Sequence, residues 1–187
     1  KCSDLYFVDK FSISIFNSNY FKNISRKKIK LLIKNFYNDT FILDQNACSS
    51  PHIIFWQGTN TDKAQKIFWD NLELYVVNNY KYTSEVFSKK YKIYNQYLFD
   101  LKNCTSKLSK HQVIYRIELS KINNSNKIEN FRGFSGLFFE KKINQLDELN
   151  NIINEKIQTI TYFGIDAVEL AENFIDASVE GIDRIVP

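Results

Sequence analysis

Apolar and polar residues alternate through Phe11-Ser12-Ile13-Ser14-Ile15-Phe16, the period of two expected of a strand with one buried face. The spacing then turns helical. Ile29, Leu32, Ile33 and Phe36 fall at i, i+3, i+4 and i+7, which predicts a helix with Ser25 as its N-cap. Arg26, Lys27, Lys30 and Lys34 face away from that stripe and read as a solvated basic face. A polar loop from Asp44 to Pro51 leads into Ile53-Ile54-Phe55-Trp56, an apolar run of the length of a fully buried strand. A second helix is predicted from about Thr61-Asp62, with Ile67, Phe68, Leu72, Tyr75 and Val76 on its apolar side. Its expected packing partner is the stretch 83–99, where Val86, Phe87, Tyr91, Tyr94 and Leu98 recur at helical intervals and read as core. Val113 to Leu119 alternates again, a strand, and 123–130 is polar, a loop.

From Gly136 onward the pattern is regular: strand 137–140, helix 145–156, strand 157–163, helix 167–179 and strand 183–186. Leu146, Leu149, Ile152 and Ile153 form the stripe of the first of these helices, and Val168, Leu170, Ala171, Phe174 and Ile175 that of the second. Strands separated by helices imply an α/β fold with a largely parallel sheet flanked by helices. No internal repeat competes with that reading.

Composition bounds the rest. A chain of 187 residues, 44% hydrophobic, is enough for one packed core, and 5 Gly with 2 Pro exclude a linker or a collagen-like fibre. No apolar run approaches the roughly 20 residues of a membrane span, and Lys1-Cys2-Ser3-Asp4 does not open a secretory signal. Cys2, Cys48 and Cys104 show no disulfide or zinc-ligand spacing, which fits a cytoplasmic, reducing compartment. His52 and His111 are too few, and too far from paired carboxylates, for a metal site. The absence of Met and the stop just after Ile185-Val186 read as a piece of a longer protein.

The segment with most chemistry is Asp44-Gln45-Asn46-Ala47-Cys48-Ser49-Ser50-Pro51, small and polar with a cysteine at its centre. Such a loop can expose a thiol, and flanking backbone N–H groups can favour the thiolate and hold an oxyanion formed on an attacked carbonyl. A free thiol with pKa about 8.5 is only a few per cent ionised at pH 7, so each unit of lowering matters. Cys104 and Cys2 read instead as buried structural thiols.

Gln45-Asn46-Ala47-Cys48-Ser49-Ser50-Pro51 and the strand that follows resemble the active-site segment of the LuxC-type acyl-CoA reductases, the fatty-acid reductase family of the aldehyde dehydrogenase superfamily. Arg132-Gly133-Phe134-Ser135-Gly136-Leu137-Phe138-Phe139 is similar to that family's Gly- and Phe-rich stretch, and Glu180-Gly181-Ile182-Asp183-Arg184-Ile185-Val186-Pro187 to its closing run. The resemblance implies that residues 1–187 are the catalytic, thiol-bearing domain. Cys48 would then take an acyl group from a thioester, and hydride from NADPH would release the aldehyde. The donor would be a fatty acyl-CoA, an acyl group handed on by a partner acyl synthetase, or an acyl-carrier protein; an oligomer is possible, and the sequence does not fix the oligomeric state. A thioester keeps the carbonyl activated for hydride, which an ester through Ser49 or Ser50 would not do as well. Glu129-Asn130-Phe131 is similar to the superfamily's Glu-x-Phe motif, making Glu129 the candidate contact to the nicotinamide-side ribose, although Arg132 interrupts the motif and no proline follows. The superfamily's glutamate base and glycine pair have no match, and no Gly-rich turn opens a helix to hold a pyrophosphate. The dinucleotide-binding domain is therefore expected outside these residues.

Two other classes compete. Cys48 and His111 could serve as nucleophile and base of a cysteine hydrolase, with Asn123, Asn124 or Asn130 orienting the imidazole, although no papain-type signature surrounds Cys48. A net charge of +4 with 16% aromatics permits a nucleic-acid binding module, but the aromatics of 89–97 follow helical spacing, so no nucleic-acid partner is expected. The catalytic-domain reading predicts that residues 1–187 bind NADPH weakly or not at all by calorimetry; tight binding would contradict it.

Overall fold

The computed structural model describes residues 10–101, 104–122 and 127–187. A seven-stranded sheet runs through the centre: β1 (Phe11–Asn17), β2 (Pro51–Gln57), β3 (Cys104–Leu108), β4 (Tyr115–Leu119), β5 (Leu137–Ile143), β6 (Ile157–Phe163) and β7 (Arg184–Val186). Their spatial order is β3-β4-β5-β2-β1-β6-β7. Every neighbouring pair is parallel except the edge pair β3 and β4. Helices α1 (Arg26–Thr40) and α2 (Thr61–Asn79) cover one face. Helices α3 (Ser84–Asp100) and α4 (Ala167–Asp176) cover the other. The α/β fold with a largely parallel sheet flanked by helices is as the sequence predicts.

Two cores result. Phe11, Ile13 and Ile15 of β1 pack with Ile53, Phe55, Phe139 and Ile160 beneath α3 and α4. Phe16, Ile54, Trp56 and Phe138 pack with Ile29, Ile33, Phe36, Phe68 and Leu72 beneath α1 and α2. The serines of β1, expected on an open face, are fully buried because this central strand is covered on both sides. Ser14 Oγ shares a 2.6 Å hydrogen bond with Thr161 Oγ1, and Ser12 Oγ donates to the Cys48 carbonyl at 2.6 Å, so neither hydroxyl is stranded. Ser25 caps α1 as expected, its Oγ accepting from Lys28 N–H, and Arg26, Lys27, Lys30 and Lys34 are exposed.

Several expectations fail on identifiable physics. Helices α2 and α3 are not packing partners, because the sheet lies between them. The stripe that α3 lays on the sheet is Lys90, Ile93, Tyr94, Tyr97 and Leu98, so Phe87 sits at its margin against Tyr115 and Tyr91 is exposed. The helix expected over 145–156 is a single 3₁₀ turn, Leu146–Leu149. Asn150, Asn151 and Asn154 interrupt it, and Asn154 Oδ1 instead accepts from Lys156 N–H at 3.0 Å, the local bonding by which Asn competes with helix. Leu146, Leu149 and Ile153 are still buried, so the apolar stripe is used without the helix. The missed strand β3 places Cys104 half-buried on an edge rather than in a core, its Sγ 3.6 Å from Leu101 O. Cys2 and the loop residues 123–126 lie outside the described residues. The helix expected over 167–179 ends at Asp176, and Ser178 follows with φ +51°.

Two buried ionisable groups anchor the layers. Glu140 on β5 is fully buried and accepts from Trp56 Nε1 (2.8 Å), Trp69 Nε1 (2.6 Å) and Gln65 Nε2 (3.1 Å), with Arg116 at 3.5 Å. Burial pushes its carboxyl above the usual range, against the pull of Arg116 and the indoles. Lys90 is also fully buried, and its ammonium donates to Val113 O at 2.7 Å inside a cage of Tyr82 and Tyr115. Burial lowers its pKa to about 7.

Between pH 7 and about 10.4 the unfolded chain therefore binds a proton at Lys90 that the folded chain does not, and stability rises with pH across that window. Tyr82 Oη also donates to Val113 O, so losing the amine leaves that carbonyl satisfied. Lys90→Met is predicted to raise Tm at pH 7 by at least ~2 °C, with the gain shrinking toward pH 10. A lower Tm at pH 7 in calorimetric scans would contradict the assignment.

Candidate active site

The turn after α1 presents the cysteine. Asp44 and Gln45 adopt left-handed backbone conformations, φ +53° and +59°, which side chains other than glycine seldom take. Hydrogen bonds compensate. Gln45 N–H donates to Thr40 O at 2.6 Å, the Asp44 carboxylate accepts from the Tyr80 hydroxyl, and Asp44 O accepts from Ser135 N–H at 3.2 Å. Tyr80 Oη also lies 2.8 Å from Ser135 Oγ; burial, then the Asp44 carboxylate, push its pKa up to about 12.

The Gln45 side chain is buried beneath the loop. Its Nε2 donates to Leu137 O at 3.2 Å and to Pro51 O at 3.4 Å, and its Oε1 accepts from Gly136 N–H at 2.9 Å. One amide thus ties the loop to the starts of β2 and β5. Gly136 adopts φ +92°, and a Cβ there would meet Val113 O at 2.7 Å, so this approach requires glycine.

Above that clamp Cys48 is exposed. It lines an open cleft of about 390 Å³ with Lys10, His52, Lys89, Tyr97 and Arg132. Among the described residues, the charged side chains that line the cleft are the cations Lys10, Lys89 and Arg132. Arg132 lies over the Phe11 ring at 5.4 Å, and Lys89 Nζ over Phe134 at 4.1 Å. Among the described residues, the backbone N–H groups of Ala47, Cys48 and Ser49 have no acceptor, whereas Asn46 N–H and Ser50 N–H bond to Leu43 O and Ala47 O. The cleft lies at the amino ends of β1, β2 and β5, opposite the carboxyl ends where open parallel sheets usually hold ligands.

His52 enters the cleft through a register shift. Ser12 pairs with Pro51 and Ile13 with Ile53, so β2 carries one extra residue there, and proline cannot donate to the ladder. The imidazole stacks on Phe11 at 5.1 Å, and its Nδ1 accepts from Gly133 N–H at 3.1 Å. Burial and then the nearby Arg132 guanidinium lower its pKa to about 4. From sequence, His52 is considered only as a metal ligand; the signal for this position is Ser50-Pro51 at the start of β2, which sets His52 four residues from the thiol.

His111 is exposed outside this cleft, its backbone N–H bonded to Glu73 of α2, so the structure does not place it among the groups lining the thiol site. Glu129 lines a separate cleft, where its carboxylate takes Asn154 Nδ2 at 2.9 Å and Lys156 Nζ at 3.4 Å. Burial alone would raise its pKa, but those partners together with a backbone N–H hold it below the usual range. The two clefts adjoin through Lys10, whose Nζ donates to Glu155 O.

All five glycines are closed by the chain's own atoms: a Cβ at Gly58 would meet Asn19, at Gly133 Leu137 O, at Gly164 Tyr20 and at Gly181 Glu155, with Gly136 as above. The starts of α1, α3 and α4 are capped by Ser25, Thr83 and Asp166. The start of α2 has no side-chain cap, but the Gly58 turn before it is closed by Asn19, so no glycine turn among the described residues presents the open backbone N–H groups that a dinucleotide pyrophosphate takes.

The fold matches solved structures over nearly its whole length. An aldehyde dehydrogenase of Bartonella henselae aligns over 95% of this chain with a TM-score of 0.58 and 14% identity. It shares the fold of the aldehyde dehydrogenase catalytic domain. The Δ-pyrroline-5-carboxylate dehydrogenase of Mycobacterium tuberculosis bound with NAD aligns over 95% of the chain at 9% identity, TM-score 0.56. A Staphylococcus aureus betaine aldehyde dehydrogenase variant with a BME-modified cysteine does so at 12% identity, TM-score 0.59. The chain spans only 39%, 34% and 37% of those three chains. No family model and no curated protein matches it. No helix among the described residues is long and apolar enough to cross a membrane.

Proposed function

We propose that this chain is the thiol-bearing domain of an NADPH-dependent acyl-CoA reductase, in which Cys48 takes a fatty acyl group from a thioester before its reduction to the aldehyde. The observation that carries the reading is an exposed Cys48 in a loop whose N–H groups at Ala47, Cys48 and Ser49 have no acceptor among the described residues, in a cleft lined by cations, on an aldehyde dehydrogenase fold. In the capture step the Cys48 sulfur attacks the thioester carbonyl, and the C=O electron pair moves to oxygen. The unpartnered amides of Ala47, Cys48 and Ser49 are the chain's donors for that oxyanion. Collapse expels the donor's thiolate and leaves the acyl group on Cys48, at little energetic expense because one thioester replaces another. Lys10, Lys89 and Arg132 suit a donor that carries phosphates, as coenzyme A does. An acyl group passed on by a partner synthetase is another donor compatible with the same chemistry.

The hydride step is assigned to NADPH held by a dinucleotide-binding domain outside residues 1–187. Glu129, in the adjoining cleft, is the candidate contact toward the nicotinamide-side ribose. The cysteine-hydrolase alternative is weaker, because His111 does not line the cleft and the histidine that does offers no free lone pair at Nδ1.

Intact-mass analysis after incubation with a long-chain acyl-CoA tests the capture step. The chain is predicted to gain one acyl mass and Cys48→Ala none. An adduct on neither folded protein, or equally on both, would contradict the proposal.

A further inference from the structure

His52 carries more information than a lining residue. A backbone N–H can only donate, so the Gly133 N–H at 3.1 Å makes Nδ1 the acceptor and leaves the ring's proton on Nε2. That Nε2 has no hydrogen-bond partner among the described residues, although the side chain is 4% exposed and lines the Cys48 cleft. Ring position is fixed on three sides, by the Phe11 stack, the Gly133 bond and the extra residue at the start of β2. The nitrogen is not sealed from solvent, so its N–H is open to donate to whatever fills the cleft.

We propose that His52 donates its Nε2–H to the carbonyl oxygen of the acyl group that Cys48 attacks, acting as an oxyanion donor and not as a base. The assignment rests on the acyl-capture reading above and adds the residue that polarises the carbonyl. As the sulfur–carbon bond forms and the C=O pair moves onto oxygen, the imidazole N–H and the loop amides share the developing charge; as the tetrahedral intermediate collapses, that pair reforms the C=O and the donor thiolate leaves. No proton is exchanged with His52. Its lowered pKa, about 4, keeps the ring neutral through the physiological range, as a donor that must not ionise requires. A base would need a free ring nitrogen, and Nδ1 is occupied.

Two reactions of the same thiol separate the roles. Acylation by an acyl-CoA develops an oxyanion; alkylation by iodoacetamide does not. His52→Asn keeps an acceptor for Gly133 N–H but cannot reach as far as Nε2, whereas His52→Gln returns an N–H donor near that position. The acylation rate constant, followed by intact mass, is predicted to fall by about 10²–10³ in His52→Asn and to recover at least tenfold in His52→Gln. The iodoacetamide rate at Cys48 is predicted to change less than threefold in both. Equal loss in the two reactions would overturn the donor role in favour of a base or thiolate partner, and unchanged acylation in folded His52→Asn would overturn it outright. If the unsubstituted chain is alkylated but never acylated, the acyl-capture reading itself fails and the His52 assignment falls with it.

Discussion

The site depends on one buried side-chain amide. Gln45 sits in a left-handed turn and spends its donors on Pro51 O and Leu137 O and its acceptor on Gly136 N–H, holding the loop against two parallel strands at once. Without that amide, three backbone groups at the amino ends of β2 and β5 would be buried with a partner missing, at about 1–3 kcal/mol each. With it, the next residues can leave the sheet and keep their own N–H groups unpaired. Residues 45 and 48 thus divide the loop between anchorage and presentation.

The same economy of polar groups recurs around the cleft. Ser12 holds the Cys48 carbonyl from below, Tyr97 Oη accepts from Arg132 N–H, and Gly133 N–H holds the His52 ring. Residues from four distant parts of the chain, 10–12, 45–52, 89–97 and 130–136, meet there: β1, β2 and β5 are adjacent and parallel, so their amino ends share one edge, and α3 lines it as well. Lys10, Lys89 and Arg132 at that edge suit an anionic acyl donor better than a cationic one.

Much of this was legible in the residues. Periodicity located β1, α1, β2, α2, α3 and α4, and the small polar residues around Cys48 marked the exposed thiol. What escaped was set by partners distant in sequence. Alternating Ser12 and Ser14 looked solvent-facing because period two reports which residues share a face, not whether that face is covered. The stripe Leu146, Leu149, Ile152 and Ile153 has helical spacing, but the intervening asparagines favour local side-chain bonding over a continuous helix. Lys90 occupies a core position of α3 that no charge pattern distinguishes from a surface lysine. His52 was hidden because its orientation follows from a register shift, which only the pairing of β1 with β2 defines. The partners of Glu129, Asn154 and Lys156, were hidden because their positions follow from the 3₁₀ turn and bend replacing the expected helix.

Backbone hydrogen exchange monitored by NMR at single-residue resolution tests the loop's division of labour without altering the protein. The account predicts strong protection of the Gly136 amide, bonded to the buried Gln45 Oε1, together with fast exchange at Ala47, Cys48 and Ser49. Gly136 exchanging as fast as Cys48, or amides 47–49 as slow as the core strands, would contradict it.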